Sequence, residues 1–219
     1  MSAETIIAFA DALRTPLTRL KARSYNAKNI RDVEIITEHA LRDIDIFIST
    51  IERVRDSQPE LTPVSCGALM KDTVESVRSY ASLSGLQLRV DDHASHQPIL
   101  GNTVVIKRGL ELMTKTLCDM ASDYKDAEVI LRADTRHGYP RLGVYRSDID
   151  IKAEDVRLAK KLLGGARINA GLFTQLGALR IAVATELLES LSLRLRSAKS
   201  NGNHGLALQL LPSSQIGLF

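Results

Sequence analysis

Few residues of this 219-residue chain have the types and spacing that chemistry needs. His93 and His96, in DDHASHQP, stand i, i+3 beside acids, a spacing two metal ligands can share, but no further ligand lies near them in a loop-like segment. His39 has no suitably placed acid or second histidine and reads as a surface or seam residue of a helix, while His137 and His204 fall in hairpin turns. Cys66 and Cys118 are far apart and belong to no CxxC pair, which argues for two core thiols and against a disulfide framework or a zinc site. Neither a serine, histidine and acid arrangement nor a nucleophile elbow is present. Gly164, Gly165 and Gly171, in LLGGARINAG, make a weak phosphate cradle or a plain loop. What remains is DALRTPLTRL, residues 11–20. It combines Asp11, Arg14, Thr15, Thr18 and Arg19 with a proline, Pro16, that removes a helix hydrogen bond and crowds the carbonyl of Ala12 at a cost of about 3 kcal/mol. Only a kink or a functional surface makes such a residue tolerable.

The elements that must position these residues follow from periodicity. Ile6, Ala10, Leu13, Leu17 and Leu20 are spaced 4, 3, 4, 3, and Ile30, Val33, Thr37, Ala40, Ile44, Phe47, Ile51 and Val54 alternate 3 and 4. Two heptad helices joined by the polar RSYNAKN, with Asn29 as an N-cap, predict an antiparallel hairpin. Leu41 and Ile48 widen the second stripe beyond a two-stranded seam, so a four-helix bundle in a homodimer is expected; packing of the stripe on the rest of the same chain is the alternative. With Leu13 and Leu20 toward the bundle axis, residue 11 faces outward, and Thr15 and Thr18 follow one and two turns along.

Pro59 and Pro63 mark a boundary, which divides the chain into a helical-hairpin domain, 1–58, and a second domain, 59–219. In the second, Ser65 caps a helix through Leu69, Met70, Val74, Val77 and Tyr80 that ends near Gly85, and LQLRV alternates as a strand. Asn102 opens a helix through Val105, Leu110, Met113, Leu117 and Met120. Residues 127–133 and 140–146 make a hairpin, a helix runs through Leu172, Leu176, Leu179, Val183 and Leu187, and LSLRLRS and LALQLLP make a second hairpin around KSNGNHG. The expected fold class is α+β: a helical hairpin, then an α/β sandwich with helices on one side of a mostly antiparallel sheet.

Composition narrows the function. The chain is 44% hydrophobic and carries a net charge of +3 with acids and bases interleaved, so a soluble globular protein is expected and nucleic-acid binding is not. No apolar run approaches the roughly 20 residues of a membrane span, and MSAETIIAFAD lacks a signal peptide's basic start, which points to the cytoplasm and away from membranes.

The order of a two-helix hairpin and an α/β sandwich, with LRTPLTRL at residues 13–20, resembles the cytoplasmic core of sensor histidine kinases over nearly the whole chain. The resemblance implies that Pro16 is the family's kinking proline beside the site where kinase and receiver domains dock. It also implies a histidine and an acid just before LRTPL, where this chain has Asp11 and Ala12. A carboxylate there repels an incoming phosphate where an imidazole would accept it; an ordinary exposed helix acid and a mimic of the phosphorylated state are the two readings of Asp11. The resemblance places the family's magnesium-holding asparagine at Met120, in TLCDMA, with Asp119 beside it, and the family's adenine-reading aspartate at Arg146, in VYRSDIDI, which lacks that motif's glycines. Of the later glycine-rich motif only Gly177, in QLGALRIAV, remains. A thioether is a poor magnesium ligand, and a guanidinium cannot accept from adenine.

These departures imply a degenerate, pseudokinase-like protein without a nucleotide cofactor or a metal, acting as a non-catalytic adaptor. It would dimerise and bind a response-regulator receiver domain or a partner histidine kinase through Asp11, Arg14, Thr15, Thr18 and Arg19. The alternative is an enzyme: a divergent kinase or phosphotransferase, or a phosphatase in which the Thr15 hydroxyl orients water.

Overall fold

The computed structural model describes residues 30–53, 60–92, 98–120, 127–161 and 172–213. The segment 11–20, the Asn29 cap, His93, His96 and the glycines of 162–171 lie outside the described residues. In chain order the elements are α1 (Ile30–Arg53), β1 (Thr62–Val64), α2 (Cys66–Leu83), β2 (Gln87–Asp91), β3 (Ile99–Gly101), α3 (Thr103–Asp119), β4 (Glu128–Arg136), β5 (Tyr139–Arg146), α4 (Ala153–Lys160), α5 (Gln175–Glu189), β6 (Leu195–Ser200), β7 (Asn203–Gln209) and β8 (Leu211–Pro212).

The main sheet has the order β2-β4-β5-β7-β6, parallel between β2 and β4 and antiparallel elsewhere. A parallel pair needs a crossover, and the chain between β2 and β4 supplies it through α3. Both hairpins close through two residues with positive φ, His137–Gly138 and Asn201–Gly202, the backbone sign that matches the twist of the flanking strands. A small second sheet, β1-β3-β8, was not foreseen, because strands of two or three residues carry no periodicity.

Side chains of alternate residues face the helices: Val129 and Leu131 of β4, Leu142 and Val144 of β5, and Leu206 and Leu208 of β7 are all fully buried. Against them lie α3, α5 and α2, with Ile106, Leu110, Leu112, Met113 and Leu117 of α3 buried around most of its circumference. A helix covered by a sheet on one side and by helices on the others needs apolar residues nearly all round. The expected caps form: Ser65 Oγ accepts from the amide of Ala68 at 3.4 Å, and Asn102 Oδ1 from that of Val105 at 3.1 Å.

Four expectations need correction. The helix expected from Leu172 begins at Gln175 under a Thr174 cap and leaves Leu172 40% exposed. The helix expected through Met120 stops at Asp119, with Met120 in extended backbone at its end. β6 starts at Leu195, because Ser192 turns with positive φ, and β7 already includes His204, expected in the turn. The short helix α4 is additional.

The second heptad helix is present as α1, and one of its faces packs on α2 and α5 of the same chain. The buried residues of α1 are Ile36, His39, Asp43, Ile46 and Phe47, so of the predicted seam Phe47 is buried while Val33, Thr37, Ala40 and Ile44, one step round, are half-buried, and Leu41 is exposed. His39, expected at a surface or seam, is 2% exposed.

Candidate functional site

The last inward-facing position of β5 is Arg146, which follows Leu142 and Val144 into the core and is fully buried. Its Nε donates to Asp148 Oδ1 at 2.8 Å and its Nη2 to Asp148 Oδ2. Nη1 donates to the carbonyls of Leu117 and, at 3.2 Å, of Met120. One guanidinium therefore joins the end of β5 to the end of α3 and fills carbonyls that lack intrahelical partners there. The Met120 side chain is buried, packed within the core cluster.

Asp119 looks the other way. Its carboxylate accepts from the Tyr80 hydroxyl of α2 at 2.8 and 2.9 Å and from Arg180 Nη1 of α5 at 2.7 Å. Arg180 Nε also donates to Asp43 Oδ2 of α1 at 2.9 Å; its Nη2 lies 2.8 Å from the same oxygen in the ion pair and donates to the Tyr80 oxygen at 3.1 Å. Lys115 Nζ meets the other Asp43 oxygen at 2.5 Å. Two cations thus face two carboxylates in a cluster where none of these side chains is more than 4% exposed. Burial alone would raise the Asp43 pKa, but Arg180 and then Lys115 outweigh it and hold the carboxyl below its usual range. Burial lowers the Lys115 pKa against the pull of Asp43.

His39 closes the cluster on the α1 side. Its Nε2 lies 3.0 Å from Ser79 Oγ and its ring stands edge-on to Tyr80 at 5.2 Å. Burial first, and then the neighbouring Lys115, lowers its pKa to about 4, so the ring is neutral at physiological pH.

Gly177 sits in the first turn of α5. Its amide is bonded by Thr174 Oγ1 at 3.1 Å, and a Cβ there would stand 3.2 Å from both Thr116 Cγ2 and Thr174 Oγ1. The glycine lets α5 approach α3 closely, and the helix start is closed by its own capping residue. Cys66 and Cys118 are buried, with burial raising their pKa values to about 11 and 12. Thiols so placed are unreactive. Among the described residues no group of three or more His, Cys, Asp and Glu side chains is placed to hold a metal ion.

Of the positions singled out in sequence, the structure brings Asp119, Met120 and Arg146 to one end of α3, with Gly177 across the α3–α5 contact; Asp11, Arg14, Thr15, Thr18 and Arg19 lie outside the described residues. Sequence reasoning missed Asp43, Lys115 and Arg180. The available signal was a lone cation inside an apolar run, LMTKTL and GALRIAV, which must find a buried anion.

No protein-family model matches the chain. No curated protein matches it in sequence. Solved structures do match it in fold. The histidine kinase AdeS of Acinetobacter baumannii superposes with a TM-score of 0.55 at 13% identity, covering 91% of this chain and 96% of that one. ShkA, full-length and in complex with AMPPNP, gives 0.57 at 14% identity over 96% of this chain and 45% of its own. The histidine kinase ThkA, in complex with the response regulator TrrA, gives 0.54 at 13% identity over 97% of this chain and 62% of that one. The chain has the fold of the histidine kinase core.

Proposed function

We propose that this protein is a two-component signalling protein that works by binding and not by phosphotransfer. It is a cytoplasmic, homodimeric adaptor whose N-terminal hairpin, within residues 1–58, presents Asp11, Arg14, Thr15, Thr18 and Arg19 to a receiver domain or a partner kinase, with a degenerate ATPase-like lobe over 59–219. Support for the pathway comes from the fold, and from one structural neighbour of that fold being a kinase seated with its response regulator. No helix among the described residues is long and apolar enough to cross a membrane.

The observation that carries the non-catalytic role is the Arg146 clasp. The fold implies a nucleotide and a divalent cation, and the side chains present do not fit them. Adenine's amino group needs an acceptor; Arg146 has only donors, turned to Asp148 and two carbonyls, and the Asp148 side chain is 3% exposed. Met120 offers a buried thioether where a hard cation requires oxygen. The adjoining acid in sequence, Asp119, is engaged by Tyr80 and Arg180. The Gly177 amide is taken by Thr174.

Calorimetric titration of the full chain with Mg-ATP tests the proposal. No saturable heat is expected, and no label should appear on the protein after incubation with γ-labelled nucleotide; a micromolar site or a stable label would overturn it.

A further inference from the structure

The buried cluster between α1 and the helices of the lobe holds more acids than bases. Lys115 and Arg180 are its cations, and Asp43 and Asp119 meet them in hydrogen bonds. A third acid, Glu111, lies one helical turn before Lys115 on α3. It is buried, and it has no hydrogen-bond or ion-pair partner among the described residues. With α1 docked, Lys115 and Arg180 therefore face Asp43, Asp119 and Glu111, one negative charge in excess. Without α1 the same cations face Asp119 and Glu111 alone, and the charges balance.

The two cations depend on α1 to different degrees. Arg180 divides its guanidinium between Asp43 and Asp119 and stands over the Tyr80 ring at 5.3 Å, so two of its partners belong to the lobe. Lys115 gives both of its hydrogen bonds to α1: Nζ meets Asp43 Oδ1 at 2.5 Å and the His39 carbonyl at 3.5 Å. Its flexible stem has one carboxylate four residues back on its own helix, in the order, acid before lysine, that favours such a pair. Apolar burial works the other way. Ile46 and Phe47 of α1 belong to the same buried cluster as the lobe's core and hold the helix down.

We infer that the junction of α1 with the lobe is a two-position device in which Lys115 exchanges Asp43 for Glu111 as α1 leaves. Release then hands the ammonium from one carboxylate to another instead of to water alone. A partner that covers the buried face of α1, Ile36, His39, Asp43 and Ile46, would draw the chain into the released position. One that binds α1 equally in both positions would shift nothing. The device needs neither the adaptor role nor a nucleotide.

Glu111→Gln keeps the shape of the side chain and removes the second partner. In the full chain, amide hydrogen exchange of α1 should slow several-fold in this variant while β4 and β5 keep their rates. A glutamate that merely supported the docked cluster would give faster exchange in α1. Faster or unchanged exchange there, or equal slowing in the strands, overturns the inference. A double-mutant cycle in urea tests the exchange of partners itself. Asp43→Asn should lower the denaturation midpoint roughly twofold further in the Glu111→Gln background than in the parent chain, because Lys115 then has neither acid. Additive shifts overturn the inference. Where Asp43→Asn/Glu111→Gln fails to fold, hydrogen exchange in Glu111→Gln alone decides.

Discussion

Two buried arginines organise this molecule in different ways. Arg146 takes its carboxylate from Asp148, two residues along the chain, and its carbonyls from the helix against which β5 already packs. Arg180 shares Asp43 with Lys115, and that carboxylate comes from a helix 137 and 72 residues away in sequence. The first centre is built inside the lobe and is complete without α1. The second exists only while α1 is docked. Burying charge is unfavourable unless partners are in place, so the Arg146 centre fixes the end of α3 permanently, whereas the Asp43 centre is a junction that can be opened as a unit.

Arg146→Ala should produce the largest effect. It takes the guanidinium away from the buried Asp148 carboxylate and strips two carbonyls of their donor, a loss of about 3–5 kcal/mol in urea denaturation. Asp43→Ala should cost less, about 2–3 kcal/mol, because α1 can lift away and admit water to Lys115 and Arg180. Hydrogen exchange separates the two centres: Asp43→Ala should expose amides of α1 while those of β5 stay protected, and Arg146→Ala should raise exchange in β5 and the end of α3. Equal loosening of α1 and β5 in the Asp43 variant would remove the distinction.

A smaller effect concerns His39. The folded chain takes up its proton only near pH 4, and the unfolded chain near pH 6.5. Between these values the unfolded state binds more protons, so stability is fully present above about pH 6.5 and declines as the pH falls toward 4. Asp43, whose folded pKa is depressed, adds a loss of the same sign at lower pH, below its unfolded value of 3.8. His39→Gln should remove about one proton from the slope measured by denaturation between pH 7 and 5. An unchanged slope would place the titrating group elsewhere.

Much of the fold was legible because the signals were local. Ser65 and Asn102 announce helices by capping chemistry, and Gly138 and Asn201–Gly202 announce hairpins, since few residues accept their backbone angles. Arg146 and Met120 were singled out only by the family resemblance, and where α3 ends depends on carbonyls that Arg146 satisfies from another strand. Nothing local marked Asp43: in ALRDIDIF it reads as one more solvated helix acid. Its burial is decided by Lys115 and Arg180, whose distance along the chain hides the pairing.

The burial of both native thiols has a practical consequence. With Cys66 and Cys118 enclosed and un-ionised, the described surface offers no competing target for a thiol-directed dye. A cysteine introduced at exposed Leu41 on α1, paired with one at exposed Leu211 on β8, would accept fluorophores selectively. Energy transfer between those labels would report, one molecule at a time, how often the helix leaves its berth.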